Sequence, residues 1–375
     1  MANETRTMEL DKPIPATVAP AKRIDYVDIA KGIGIVLVVM GHNDFALISP
    51  FGHKFIYSFH MPMFFFMSGM FFKPDIPFWG YVRNRFDRVL KPFFFTIVFL
   101  YFTTISFTKV SIVVATRRVL KAMYANGYYL DWVQLWFLPH LFIVSLFAYF
   151  FFQAVRRGGV HSWRWLILPA IYVVGVLGIT RFYPFEVNAL GRGFTVFGLP
   201  YSLDLVLVSG FFFILGYEFN KKRHIAILEN PLTLFISGLT LIFLVWYFPA
   251  TIDFNTRLFE SLPVNTVEAL LGILFILAIS RQMERVGWLS ALFKYIGQAS
   301  LIILIFQVPI QDYWGQKILA LTDNLQVSYW ISFVIGVVGP IVINALFIHP
   351  NPVMRKWFGQ PALPEKGQPA VSVFE

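Results

Sequence analysis

Long apolar runs separated by short clusters of charge set the pattern of this chain. Residues 132–155, 230–252 and 325–354 each run without Asp, Glu, Lys or Arg, and each exceeds the ~20 apolar residues that carry a helix across ~30 Å of hydrocarbon. A transmembrane barrel would instead alternate apolar and polar residues in segments of about ten. The chain therefore predicts an all-α polytopic membrane protein with about ten transmembrane helices, near 30–49, 55–73, 91–108, 134–154, 164–180, 201–219, 232–250, 266–280, 299–316 and 328–349. Residues 1–22 hold Pro13, Pro15 and Pro20 and no apolar run, which reads as a flexible cytoplasmic tail and not as a cleaved signal peptide. Residues 23–350 form one membrane domain, and 351–375 a cytoplasmic C-terminal tail. The longest connections, about 108–133 and 181–200, are too short to fold alone. No internal repeat is visible.

Composition agrees: 57% of the 375 residues are hydrophobic, 14% are charged and 43 are Phe, which excludes a soluble core. The net charge of +10 gives no sign of nucleic acid, because Lys and Arg accumulate in cytoplasmic loops anyway. With the N-terminus inside, 22 of the 31 basic residues fall on the cytoplasmic side, so both termini are expected in the cytoplasm. Four of the other nine, Lys109, Arg117, Arg118 and Lys121, share one segment that suits an amphipathic surface helix. The chain has no cysteine, which removes disulfides, thiolate metal sites and cysteine nucleophiles. Its seven His include no pair at ligating spacing with acids nearby, so no metal is expected.

Polar residues inside the spans carry the chemical signal, since an ionisable group there costs roughly 2.5–3.5 kcal/mol and usually faces a cavity or partner. In the first span Lys31 and His42 are eleven residues apart, three full turns plus about 20°, with His42 about 16 Å deeper. Asp28 falls on the same face. A polar stripe thus runs up an apolar helix, while Gly32, Gly34 and Gly41 allow close approach of a neighbour. The plainer reading makes Lys31 an interfacial snorkeller and His42 a helix-end residue. The spacing favours the stripe.

The stretch from Arg23 through Asp28, Lys31 and Gly32 to Gly41-His42, followed by Phe59-His60-Met61-Pro62 and Ser68-Gly69, resembles the opening of the membrane-bound acyltransferase-3 family, in its branch of fucose-4-O-acetylase-like sugar O-acetyltransferases. Arg85-Phe-Asp-Arg88 with Lys91-Pro92, Trp136-Phe-Leu-Pro139 and Gly297-Gln-Ala-Ser300 are similar to later segments of that family. Two departures stand out: Gln307 stands where relatives often carry His, and the fused C-terminal esterase-like domain of some relatives is missing.

The resemblance implies transfer of acetyl from acetyl-CoA to a sugar hydroxyl, with no metal. Such a transfer needs a general base near neutral pH, for which His42 is the candidate. A cationic mouth for the donor phosphates is expected from Lys31, Arg85, Arg88 and Lys91, the last three at i, i+3 and i+6 so that a helix aligns them. Positive-inside anchoring is their alternative reading. Lesser candidates for the tunnel or substrate are Asp28, His60, Ser68, Trp136, Asp204 and Glu268. Ser68 is a hydrogen-bond donor to the thioester or is bonded to its own helix; Trp136 is a stacking platform or an interfacial belt residue. Asp204 and Glu268 orient His42, bind sugar, or pair with Arg192 or Arg257. His140 reads as a packed helix residue.

The expected setting is a bacterial inner membrane. The partners are the lipid bilayer, a lipid-linked sugar or polysaccharide acceptor and other polysaccharide-assembly proteins. A transporter or flippase of a lipid-linked sugar or acyl group, using the same polar face as a conduit, is the second reading. An assembly scaffold without chemistry is the third, and it leaves the Lys31–His42 stripe without a purpose.

Overall fold

The computed structural model describes residues 24–360 apart from 109, 160–161, 190 and 222–224. The expected tail at 1–22 and residues 361–375 of the second tail lie outside the described residues. The first half contains α1 (Asp25–Gly41), α2 (Pro50–Tyr57), α3 (His60–Met70), α4 (Phe78–Arg85), α5 (Lys91–Thr108), α6 (Ile112–Ala122) and α7 (Phe137–Arg157). The second contains α8 (Arg164–Gly178), α9 (Val206–Lys221), α10 (Pro231–Tyr247), α11 (Leu262–Met283), α12 (Gly287–Gln298), α13 (Ser300–Thr322), α14 (Leu325–Ile343) and α15 (Pro352–Trp357). Two antiparallel hairpins interrupt the helices, β1 (Phe185–Ala189) with β2 (Arg192–Val196) and β3 (Ile252–Asp253) with β4 (Leu258–Phe259). Neither was read from the sequence: β1 and β2 alternate over only five residues each inside a short connection, and β3 and β4 have two residues each, too few to show a period.

The membrane-spanning architecture holds, and the long helices account for part of the expected ten spans. Among the described residues six helical stretches are long and apolar enough to cross a bilayer, and α12 with α13, bent by 74°, makes a seventh. Two further helices, α1 and α10, have 17 residues each, about 26 Å at 1.5 Å per residue, at the lower end of the length range of a crossing helix.

The expected second span is broken in two. Ser49 caps α2 by accepting the Gly52 N–H at 3.1 Å, with Pro50 at the first helical position. The chain leaves helical geometry at Phe59, and α3 starts at His60. α1 likewise ends where His42 turns extended (φ −86°, ψ 173°) and Asn43 takes φ 57°, a left-handed conformation that Asn tolerates better than most residues. Both breaks place a histidine at a helix end.

Paired glycines bring two helix pairs into backbone contact. A Cβ at Gly32 would strike the Phe293 carbonyl of α12, and one at Gly297 would strike the Asp28 carbonyl of α1. Gly69 and Gly216 do the same between α3 and α9 against Phe213 and Phe66. Phenylalanines fill the interior around these contacts, with Phe59, Phe65, Phe93, Phe212, Phe213 and Phe254 fully buried.

Polar contacts sort the connecting segments into two ends. At one end Lys294 pairs with Asp25, Arg156 with Asp75, Arg164 with Glu218 and Arg281 with Glu229. At the other, Tyr124 donates to the Gly198 carbonyl, Arg257 pairs with Asp204, and Lys54 donates to the Val245 and Phe248 carbonyls. α6 lies on the surface with Ile112, Val113 and Leu120 exposed and Ala115 and Ala122 buried, in the segment that Arg117, Arg118 and Lys121 marked; Lys109 lies outside the described residues. Residues 351–360 pack rather than hang free: α15 is capped by Asn351, and Arg355 and Phe358 are buried.

Candidate active site

A cavity of about 350 Å³ lies between α1, α3, α7 and the start of α13. One wall is the α1 face that carries Lys31, Ile35, Val38 and His42. These positions are spaced by four, three and four residues, the repeat of a single helical face, so the cavity follows α1 for about 16 Å. Lys31 and Arg88 line it towards one end of α1, and His42, Tyr57, Asp253 and Asn255 towards the other. Most of the wall between is apolar, with Met61, Phe64, Met67, Leu138 and Leu304.

The break after α1 fixes the His42 ring. His42 Nδ1 donates to the Val38 carbonyl at 2.6 Å; a carbonyl oxygen only accepts, so Nδ1 carries a proton, and in the neutral ring the lone pair is on Nε2. His60, also in the wall, makes the same bond to the Ile56 carbonyl at 3.0 Å. Tyr57 packs edge-on to His60, with ring centroids 4.7 Å apart, and stacks on His53 at 4.0 Å. This end of the cavity is therefore an aromatic cluster in which two imidazoles are tied to backbone carbonyls.

Among the other residues marked in the sequence, Ser68 and Trp136 line the cavity. Trp136 is 5% exposed and so is not an interfacial belt residue. Asp28 is buried and holds Lys31 Nζ at 3.3 Å without reaching the cavity wall. Arg85, Arg88 and Lys91 do not form the straight stripe that the spacing predicted, because residues Phe86–Leu90 form a π-turn, whose i→i+5 bonding changes the helical phase. Arg85 Nε donates to Tyr81 Oη at 3.1 Å and the guanidinium lies over the Tyr81 and Phe213 rings, outside the wall. Arg88 lines the cavity and also a second chamber, which Lys91 shares while holding Asp87 at 2.8 Å.

Asp204 and Glu268 are not at the cavity. Asp204 is bound by Arg257, one of the two partners its sequence offered, and Glu268 accepts from Asn265 Nδ2 at 3.2 Å. His140 is packed between the Tyr201 carbonyl at 3.1 Å and Ser209 Oγ at 2.7 Å. Gln307 is fully buried with neither amide atom bonded to protein, away from the cavity wall.

Five polar wall residues were given no site role by sequence reasoning: Tyr57, Gln134, Asp253, Asn255 and Ser300, the last marked only as part of the Gly297–Ser300 segment. Gln134, the one amide at the start of the 132–155 apolar run, carried a usable signal. It donates from Nε2 to the Ile305 carbonyl at 2.9 Å and leaves Oε1 buried without a protein partner. Asp253 and Asn255 reach the cavity only through the β3–β4 hairpin, which no local pattern revealed. Among the described residues no cluster of His, Asp or Glu could hold a metal ion.

A polytopic helical bundle that encloses a histidine-bearing cavity, cationic at one end, defines a membrane protein with an internal site. The chain belongs to the acyltransferase-3 family, whose acyltransferase domain matches residues 24–349. It is thus a membrane acyltransferase. No curated protein and no solved structure matches the chain.

Proposed function

We propose that this protein transfers acetyl from acetyl-CoA to a sugar hydroxyl of a lipid-linked oligosaccharide or exopolysaccharide in a bacterial inner membrane, as in the fucose-4-O-acetylase-like branch of the family. The observation that carries the reading is His42. Its Nδ1 is tied to the Val38 carbonyl, which leaves Nε2 as a base in a cavity that extends about 16 Å to the cations Lys31 and Arg88. The mostly apolar middle suits the uncharged pantetheine arm of a thioester donor, and the buried Gln134 Oε1 is an acceptor for one of its amide N–H groups.

In this reading the acceptor hydroxyl approaches from the Asp253 end. His42 Nε2 removes its proton as the oxygen bonds to the thioester carbon; the carbon–sulfur bond then breaks, and the proton passes to the departing thiolate, giving ester and free CoA. Ser68 lies eight residues along α3 from His60, about 12 Å towards the end where Lys31 sits over the Phe71 ring. It therefore serves the donor arm and not the tetrahedral oxygen, while His60 holds Tyr57 and the outer wall in place.

Both termini are assigned to the cytoplasm. The four ion pairs at one end of the bundle support this, since each joins segments that the charge count groups together. Purified protein given acetyl-CoA and a glycan acceptor should release CoA in proportion to acetylated glycan. No release above a His42→Gln control, with an acceptor that native membranes acetylate, would reject the reading in favour of transport or scaffolding.

A further inference from the structure

The second chamber, of about 700 Å³, lies beside the central cavity and shares Arg88 with it. One wall is the π-turn region with Asn84, Asp87, Arg88 and Lys91; the other is the chain after α14, with Arg355, Lys356 and Gln360. Four cations thus face one carboxylate, and that carboxylate is held by Lys91 at 2.8 Å. Such a surplus of fixed positive charge in a concavity attracts phosphate.

The second wall is rigidly mounted. Trp357 stacks on Phe95 at 5.4 Å, and the buried Phe358 packs edge-on to Phe95 at 5.2 Å and against Phe306 at 6.0 Å. Gln360 Nε2 donates to Asn344 Oδ1 at 2.7 Å. Gly359 takes φ +66°, and its backbone lies so close to the Asp87–Arg88 strand of the π-turn that a Cβ would come within 3.1 Å of the Asp87 carbonyl oxygen. Simple positive-inside anchoring requires none of this, because flexible Lys and Arg at a helix end satisfy it.

We infer that α15 and the turn after it complete a binding site for the phosphorylated nucleotide end of the acyl donor, with Arg88 marking the passage from this chamber to the central cavity. The assignment rests on the acyl-CoA reading above and extends it. The two cavities match the two halves of such a donor: a cationic chamber of about 700 Å³ for the phosphates, and a mostly apolar cavity of about 350 Å³ for the arm that carries the thioester.

The test compares acetyl-CoA with S-acetylpantetheine, which has the arm without the nucleotide, using purified protein in nanodiscs of neutral lipid. Lys356→Ala and Arg355→Lys should each raise the KM for acetyl-CoA by several-fold to about tenfold and leave the KM for S-acetylpantetheine within about twofold. Lys356 is exposed, so its replacement leaves folding intact. Equal shifts for both donors, or none for acetyl-CoA, would overturn the chamber assignment. So would variants that change binding of phosphatidylglycerol nanodiscs while acetyl-CoA kinetics stay at wild-type values, since the chamber would then hold a lipid headgroup. A wild-type protein that turns over neither donor would instead reject the acyl-CoA reading itself.

Discussion

Arg257 and Asp204 form an ion pair whose side chains are 1% and 0% exposed, and it holds the rim of the central cavity. Arg257 donates from Nε to Asp204 Oδ2 at 2.6 Å, from one terminal nitrogen to Oδ1 at 3.1 Å, and from the other to the Asn255 carbonyl at 2.7 Å. Asp204 Oδ1 also accepts the Leu199 N–H at 2.9 Å. With three of the guanidinium's five N–H groups and both carboxylate oxygens engaged, the pair locks the β3–β4 hairpin that presents Asp253 and Asn255 to the cavity.

Removing one partner strands the other charge in a desolvated site, at a cost of about 3–5 kcal/mol. Asp204→Ala and Arg257→Ala should therefore lower the apparent melting temperature in detergent markedly and abolish activity. Arg192→Ala, on the exposed face of β2, should do neither. Wild-type melting of Asp204→Ala would show that the hairpin is held some other way.

The base role of His42 fixes a second outcome. His42→Gln keeps a hydrogen-bonding side chain but has no group that takes a proton near neutral pH, so activity should fall by about 10²–10⁴-fold with normal accumulation in the membrane. The wild-type rate should fall at low pH as the ring becomes protonated, because only the neutral ring offers Nε2 as a base. A well-accumulated His42→Gln that acetylates at close to the wild-type rate would end the base assignment.

Arg85 and Arg88, equivalent in the sequence, should separate in kinetics. Arg88 lines both cavities, whereas Arg85 is engaged by Tyr81 and Phe213. Arg88→Ala should raise the KM for acetyl-CoA by about ten- to a hundredfold, the worth of one charge-assisted hydrogen bond, and Arg88→Lys should recover part of it. Arg85→Ala should act mainly on stability. Equal donor effects in both would mean that the two guanidinia grip the donor together.

Much of this arrangement was legible before the fold was known, and the reason is geometric. The Lys31–His42 face follows from helical spacing alone, and hydropathy exposes the apolar helices. The Gly32 and Gly297 contacts could be suspected from residue size. What escaped came from interruptions of regular structure. The break at Ser58-Phe59 lies in a run as apolar as its neighbours, the π-turn at Phe86–Leu90 has no sequence mark, and the hairpin that delivers Asp253 is two residues per strand. Each depends on tertiary contacts that a one-dimensional pattern does not record.

The last prediction joins orientation to substrate binding. Asp253 lines the cavity at the end opposite Lys31 and Arg88, and its Oδ1 accepts the Asn255 N–H at 2.8 Å, which closes the hairpin turn. Asp253→Asn keeps that acceptor and removes only the charge. If the donor enters at the cationic end and the sugar at this one, Asp253→Asn should raise the KM for the glycan acceptor by several-fold and leave that for acetyl-CoA unchanged. Reporter fusions should then read external at Asn255 and cytoplasmic after Glu229, because the charge count and the Arg281–Glu229 pair put Glu229 at the opposite end of the bundle. A cytoplasmic reporter signal at Asn255 would place both substrates on one side of the membrane. The Asp253 substitution would then be expected to disturb donor and acceptor alike, because neither end of the cavity would belong to one substrate alone.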